Sequence, residues 1–200
     1  HPSNNTPAPN KDYASNSGNY YLDKTAPKIT SVSPQSAKWT NQTVNVTVDV
    51  SDNLSGLYWG NSYVEAIDIS HYGHSEVKSH FNSGATTGNK TINLTKEGIY
   101  QIKVNLEDIA QNKMTEATYG YYRIDKTRPD AAKFTSDTRE YIDEDLTVTV
   151  TIGDNLSGVA ETRYVLSNSP NDKTGMKSIS LTTAEGKAAT NTFTVDITEP

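Results

Sequence analysis

Carboxylates sit beside turn residues at three places in the first half of this 200-residue chain: Asp23, Asp52, and the adjacent pair Glu107 and Asp108. Carboxylate and carbonyl oxygens are hard ligands, and Ca²⁺ takes 6–8 of them in a flexible shell. If the fold gathers these residues, Ca²⁺ is the cofactor they suit. The alternative is that Asp52 and Asp108 form turns, their side chains accepting nearby backbone N–H groups. Asp125 and Asp154 are the matching candidates in the second half, where Glu107 and Asp108 have no counterpart.

Two other groups are chemically capable. Tyr58 and Trp59 follow a turn, where exposed rings stack on sugars or anchor a protein partner. Packing of Trp59 within a strand is the competing reading. His71, His74 and His80 have a spacing that suits a transition metal, but no acidic partner accompanies them and an exposed loop is expected there. Motifs for a serine nucleophile elbow, a zinc protease helix or a phosphate-binding loop are absent, and no catalytic residue is assigned.

Composition narrows the class. With 18 basic and 24 acidic side chains, the net charge of −6 argues against a nucleic-acid partner. No apolar run approaches the ~20 residues of a membrane-spanning helix, so no membrane insertion is expected in this segment. The chain has no Cys, hence no disulfide framework and no thiolate metal site.

The elements that would position these residues repeat. Asp23-Lys24-Thr25-Ala26-Pro27 recurs as Asp125-Lys126-Thr127-Arg128-Pro129, and Asp52-Asn53-Leu54-Ser55-Gly56 as Asp154-Asn155-Leu156-Ser157-Gly158. Both pairs are offset by about one hundred residues. Between the anchors, Val44, Val46, Val48 and Val50 fall on Leu146, Val148, Val150 and Ile152. A partial third copy precedes them: Gly18, Tyr20 and Leu22 fall on Gly120, Tyr122 and Ile124. Residues 1–22 therefore read as the last strand of a preceding repeat or an N-terminal extension. Residues 23–125 form domain 1, and 126–200 a domain 2 that stops before its last two strands. Both ends fall inside repeats, as expected of a window cut from a longer array.

Alternation of apolar and polar residues marks strands with one buried face. Residues 43–50 and 100–107 alternate without error, and no stretch shows helical periodicity. The fold class is all-β. About seven short strands per hundred residues, with turns between them, predict tandem immunoglobulin-like (Ig-like) β-sandwiches. In domain 1 the strands fall near 28–33, 43–50, 57–69, within 76–95, 99–107 and 113–124. In that fold the loops carrying Asp52 and Asp108 lie at the end where the first strand begins, beside Asp23.

The Asp-Lys-Thr-Ala-Pro junction, the Asp-Asn-Leu-Ser-Gly loop and the turn Asp108-Ile109-Ala110-Gln111-Asn112 resemble bacterial Ig-like repeats of secreted and cell-surface proteins. The resemblance covers essentially the whole chain. It implies an extracellular location, neighbouring repeats of the same chain as partners, and a spacer or stalk role without catalysis. In some giant adhesins of this kind Ca²⁺ stiffens the joints. It leaves open an adhesive or carbohydrate-recognition module contacting a host or cell-wall glycan or protein, and a fibre subunit that donates a strand. Gln111 departs from the family, whose turn usually has Gly there, so a differently shaped turn is expected.

Overall fold

The computed structural model describes residues 19–70, 73–136, 146–165, 177–179 and 188–195. Residues 10–18 and His71, both singled out in the sequence, lie outside them. Every regular element among the described residues is a strand, and none of them forms a helix long and apolar enough to cross a membrane.

Eight strands build the first half. They are β1 (Lys28–Ser33), β2 (Ala37–Thr40), β3 (Val44–Ser51), β4 (Tyr63–Asp68), β5 (His74–His80), β6 (Thr87–Leu94), β7 (Gly98–Asn105) and β8 (Ala117–Ile124). One sheet has the order β1-β3-β6, the other β2-β8-β7-β4-β5. The strict alternation of β3 puts Val44, Val46, Val48 and Val50 on its inner face. They share one core with Ile92 and Leu94 of β6, Ile102 and Val104 of β7, and Tyr122 and Ile124 of β8. Two sheets closed over a common apolar layer make the arrangement of a β-sandwich.

The chain changes sheets between β1 and β2. β1 pairs antiparallel with β3, whereas β2 pairs parallel with β8, its Thr40 lying opposite Ile124. Gly120 makes room for this crossing. Its φ is 52°, and a Cβ there would run into the Gln35 carbonyl oxygen. Two residues on, the Tyr122 hydroxyl donates to the Pro34 carbonyl oxygen at 2.8 Å. Burial pushes that hydroxyl's pKa up to about 12, with Tyr119 adding to the shift, so it stays protonated and able to donate.

In the second half, β9 (Lys133–Ser136), β10 (Leu146–Gly153) and β13 (Ala188–Val195) form a sheet of order β13-β10-β9. β11 (Thr162–Tyr164) and β12 (Lys177–Ile179) form a pair. The register repeats. Thr135 lies opposite Thr149 as Ser33 lies opposite Thr47, each residue displaced by the sequence offset.

The structure departs from expectation in several places, beginning with β2, which lies where no strand was expected. The strand predicted over 57–69 is confined to β4, because residues 58–62 form a turn in which Asn61 and Ser62 donate backbone N–H bonds to the Tyr58 carbonyl. His74 and His80, expected in a loop, bound strand β5, which overlaps the start of the strand region expected within 76–95 and is held by its pairing with β4. The turn at Gln111 keeps the conformation a Gly would take, since Gln111 adopts a φ of 68°.

Candidate functional site

Three loops meet at the end of the first sandwich where β1 begins, and a carboxylate organises each. Asp52 Oδ2 accepts the N–H groups of Leu54 and Gly56 at 3.1 and 2.7 Å, closing the loop after β3. Asp108 is fully buried. Its two oxygens accept the backbone N–H and the side-chain amide of Asn112 at 2.8 and 2.7 Å, closing the turn before β8. Asp23 reaches across: Oδ1 accepts the Thr25 N–H at 3.0 Å and Oδ2 the Ser55 N–H at 2.8 Å. The Thr25 N–H, followed by the Ser55 bonds, holds the Asp23 carboxyl below the usual carboxylate range. Asn112 Nδ2 also donates to the Asp23 carbonyl at 3.3 Å, completing the ring of loops.

Asp23, Asp52 and Asp108 thus come together. One carboxylate oxygen from each lies within 4.8 Å of the others. Most of these oxygens already accept backbone N–H groups, the turn-forming role read from the sequence. Asp52 Oδ1 differs: it is shielded from solvent and accepts no hydrogen bond. A shielded, donorless oxygen among three anionic groups is matched to a hard cation, and the donor set is all oxygen.

Glu107 is not part of this cluster. Its carboxylate accepts the Asn61 side-chain amide and lies 3.5 Å from Lys113 Nζ. Neighbouring residues of an extended chain point to opposite sides, so Glu107 and Asp108 cannot both face the same loops.

The second half reproduces the core of the hub. Asp154 Oδ1 accepts the Leu156 and Gly158 N–H groups at 2.9 and 2.8 Å. Asp125 Oδ1 accepts the Thr127 N–H at 2.9 Å, and Oδ2 the Ser157 N–H at 3.0 Å. Burial pushes the Asp125 carboxyl up, but the bonds from Ser157 and Thr127 outweigh it, and its pKa lies below the usual value. Asp125 also belongs to the first half, since its own N–H donates to the Thr40 carbonyl at 2.9 Å.

The linker that follows is gripped as well. Glu97 Oε2 accepts Thr127 Oγ1 at 2.8 Å and the Lys126 N–H at 3.3 Å, while Lys126 Nζ donates to the Thr95 carbonyl. Sequence reading missed Glu97. Its position in the turn after β6 carried no motif, and only the folded chain reveals what it touches.

Tyr58 and Trp59 lie in the turn before β4, and Trp59 is 58% exposed. The indole is held in place: His80 stacks on it with ring centres 4.9 Å apart, and His80 Nδ1 is 2.8 Å from the Trp59 carbonyl oxygen. Tyr63 tilts against the same His80 ring, with Lys78 Nζ 3.6 Å from the Tyr63 ring centre. The result is a supported aromatic surface rather than a core residue.

No protein-family model and no curated protein matches the chain.

Proposed function

We propose that the chain is a non-catalytic spacer segment of a bacterial extracellular or cell-surface protein, made of tandem Ig-like β-sandwiches with restricted joints. The observation that carries this reading is the double attachment of Asp125. Its N–H bonds to Thr40 in one half and its carboxylate to Ser157 in the other. The connection Asp125-Lys126-Thr127 is held from both sides, and Glu97 adds two more contacts. Proline at 129 further narrows the backbone, because its ring fixes φ and disfavours helical geometry at the preceding residue. A linker with so few free torsions transmits orientation from one module to the next, as a stalk requires.

Ca²⁺ at Asp23, Asp52 and Asp108 is part of the same proposal. The cation would satisfy Asp52 Oδ1 and clamp the start of the first module to two of its loops. Thermal unfolding and hydrodynamic radius of the full chain, measured with added Ca²⁺ and with chelator, test it. The expected result is a higher melting temperature with Ca²⁺, and identical curves would remove the metal from the proposal. Small-angle scattering tests the spacer reading separately: a narrow distribution of inter-module angles supports it, and freely jointed modules overturn it.

A second reading is favoured by the exposure of Trp59. An indole fixed by His80 is a preformed face for a pyranose ring or a protein side chain, which suits an adhesive or carbohydrate-recognition module. Glycan-array binding that disappears in Trp59→Ala would support it over a purely mechanical role.

A further inference from the structure

Glu107, set apart from the three aspartates, gathers two nitrogens around one of its oxygens. Oε2 accepts the side-chain amide of Asn61 and lies 3.5 Å from Lys113 Nζ. The Glu107 side chain is 8% exposed, whereas that of Lys113 is 68% exposed and keeps its freedom to move.

The three backbones beneath these groups are pinned by bonds of their own. The Tyr58 N–H and the Ser62 hydroxyl both donate to the Glu107 carbonyl oxygen at 2.7 Å, and the Glu107 N–H donates back to Ser62 Oγ at 3.1 Å. Asn61 donates its N–H to the Tyr58 carbonyl, and its own carbonyl accepts Asn105 Nδ2 at 2.6 Å. Lys113 faces Glu107 across an antiparallel bridge, and the Met114 N–H beside it donates to the Leu106 carbonyl. Stability alone does not call for this set. An ion pair to so exposed a lysine contributes little. Nor does the repeat need an amide at this turn, since Arg163 stands at the position matching Asn61 in the second half. An amine, an amide and a carboxylate that can carry a proton between them are the parts of an amide exchange.

We propose that Lys113 and Asn61 become joined by an isopeptide bond, with Glu107 as the proton carrier. The Lys113 ammonium gives a proton to Glu107, and the neutral amine attacks Asn61 Cγ. A bond forms between Lys113 Nζ and Asn61 Cγ while the bond from Cγ to Nδ2 breaks. Glu107 passes its proton to the departing Nδ2, which leaves as ammonia and takes the surplus proton of the attacking nitrogen. Ammonium and amide thus become a new amide and a free ammonium ion, the carboxylate is restored, and nothing is oxidised or reduced. Lys113 has to close from 3.5 Å, which its flexible four-carbon stem allows. Holding both reactants against one oxygen supplies the placement that such a step needs. In a chain without Cys, the bond would tie the turn before β4 covalently to the segment that enters β8.

Intact mass spectrometry of the full chain, followed by peptide mapping, tests this. Once the mass no longer changes on incubation, the expected product is lighter than the sequence by one ammonia and yields a branched peptide joining Asn61 to Lys113. Lys113→Arg keeps the positive charge beside Glu107 but removes the nucleophile, and should retain the full mass. Glu107→Gln should slow bond formation by about 100-fold or more. A full mass in the native chain overturns the proposal. So does an ammonia loss that persists in Lys113→Arg, which would place it at a succinimide elsewhere. Bond formation at the native rate in folded Glu107→Gln overturns the role of Glu107. Should that variant fail to fold, the branched peptide and Lys113→Arg decide the matter. Neither the spacer reading nor the cation moves this mass, so those proposals stand or fall separately.

Discussion

Glu97 and Thr127, thirty residues apart, meet at 2.8 Å between Oε2 and Oγ1 where the first half of the chain runs into the second. The same oxygen receives the Lys126 N–H. A single carboxylate therefore restrains both a side chain and the backbone of the linker. Glu97→Ala should widen the distribution of inter-module angles, read by residual dipolar couplings or scattering. The melting temperature of the first sandwich should change little, because an exposed pair of this kind contributes under ~1 kcal/mol to stability. An unchanged angular distribution would show that Asp125 alone sets the joint.

The carboxylates of Asp23 and Asp125 are held below their ordinary pKa by backbone N–H donors, which fixes the sign of an acid effect. A group whose folded pKa is depressed contributes stability that is fully present above its unfolded value, about 3.9. That contribution is lost as pH falls through the folded value. Denaturant midpoints should therefore be flat from pH 7 to about 5 and fall below about 4. Asp125→Asn should flatten the acid limb for the second half while lowering its stability at neutral pH. A midpoint that falls equally in wild type and Asp125→Asn would detach the acid effect from this residue.

Gln111 occupies left-handed backbone at φ 68°, bracketed by the Asp108 and Asn112 bonds that close the turn. A Cβ in that region is disfavoured, and Gly avoids the penalty at the cost of extra freedom in the unfolded chain. Gln111→Gly should stabilise the first sandwich by about 0.5 kcal/mol, with an unchanged m-value in urea unfolding. Loss of stability would show that the Gln side chain makes a compensating contribution.

Gly56 shows the opposite case. Its φ is 79°, and a Cβ would lie 2.5 Å from the backbone carbonyl of Gly84, which cannot move without dragging the neighbouring loop. Gly56 N–H also donates to Asp52 and its carbonyl accepts Ile109 N–H, so the strain enters the hub directly. Gly56→Ala should cost roughly 2 kcal/mol or more. A smaller loss in thermal unfolding would mean that the loop relaxes more than its bonds suggest.

What could be read from the chain follows from how local each signal is. β3 and β7 were legible because Val44 to Val50 and Tyr100 to Val104 alternate over whole strands buried on one face. The hub was legible because Asp23 and Asp52 belong to motifs that recur and Asp108 opens a turn motif of its own. β2 was not, and β5 only in part, since both are edge strands whose existence is decided by the strand beside them. β2 depends on Gly120 admitting the Gln35 carbonyl, and β5 on pairing with β4. Glu107 was misplaced for a simple reason: adjacency in sequence was read as adjacency in space, and the extended backbone turns neighbours apart.

Asp52 offers a reversal of sign that tests the cation. Its Oδ2 accepts two backbone N–H bonds, which an Asn carbonyl oxygen can keep. Its Oδ1 is shielded and has no donor, and Asp52 clusters with the Asp23 and Asp108 carboxylates, so an amide NH₂ in its place would add donors to a group of acceptors. Without metal, Asp52→Asn removes one of three clustered negative charges and should raise the melting temperature of the first sandwich. With Ca²⁺ the order inverts, because the amide replaces an anionic ligand, and the wild type should become the more stable. Melting curves of both proteins in chelator and in Ca²⁺ give four values whose crossing is the prediction. Parallel shifts in the two conditions would show that the three carboxylates act only as turn formers.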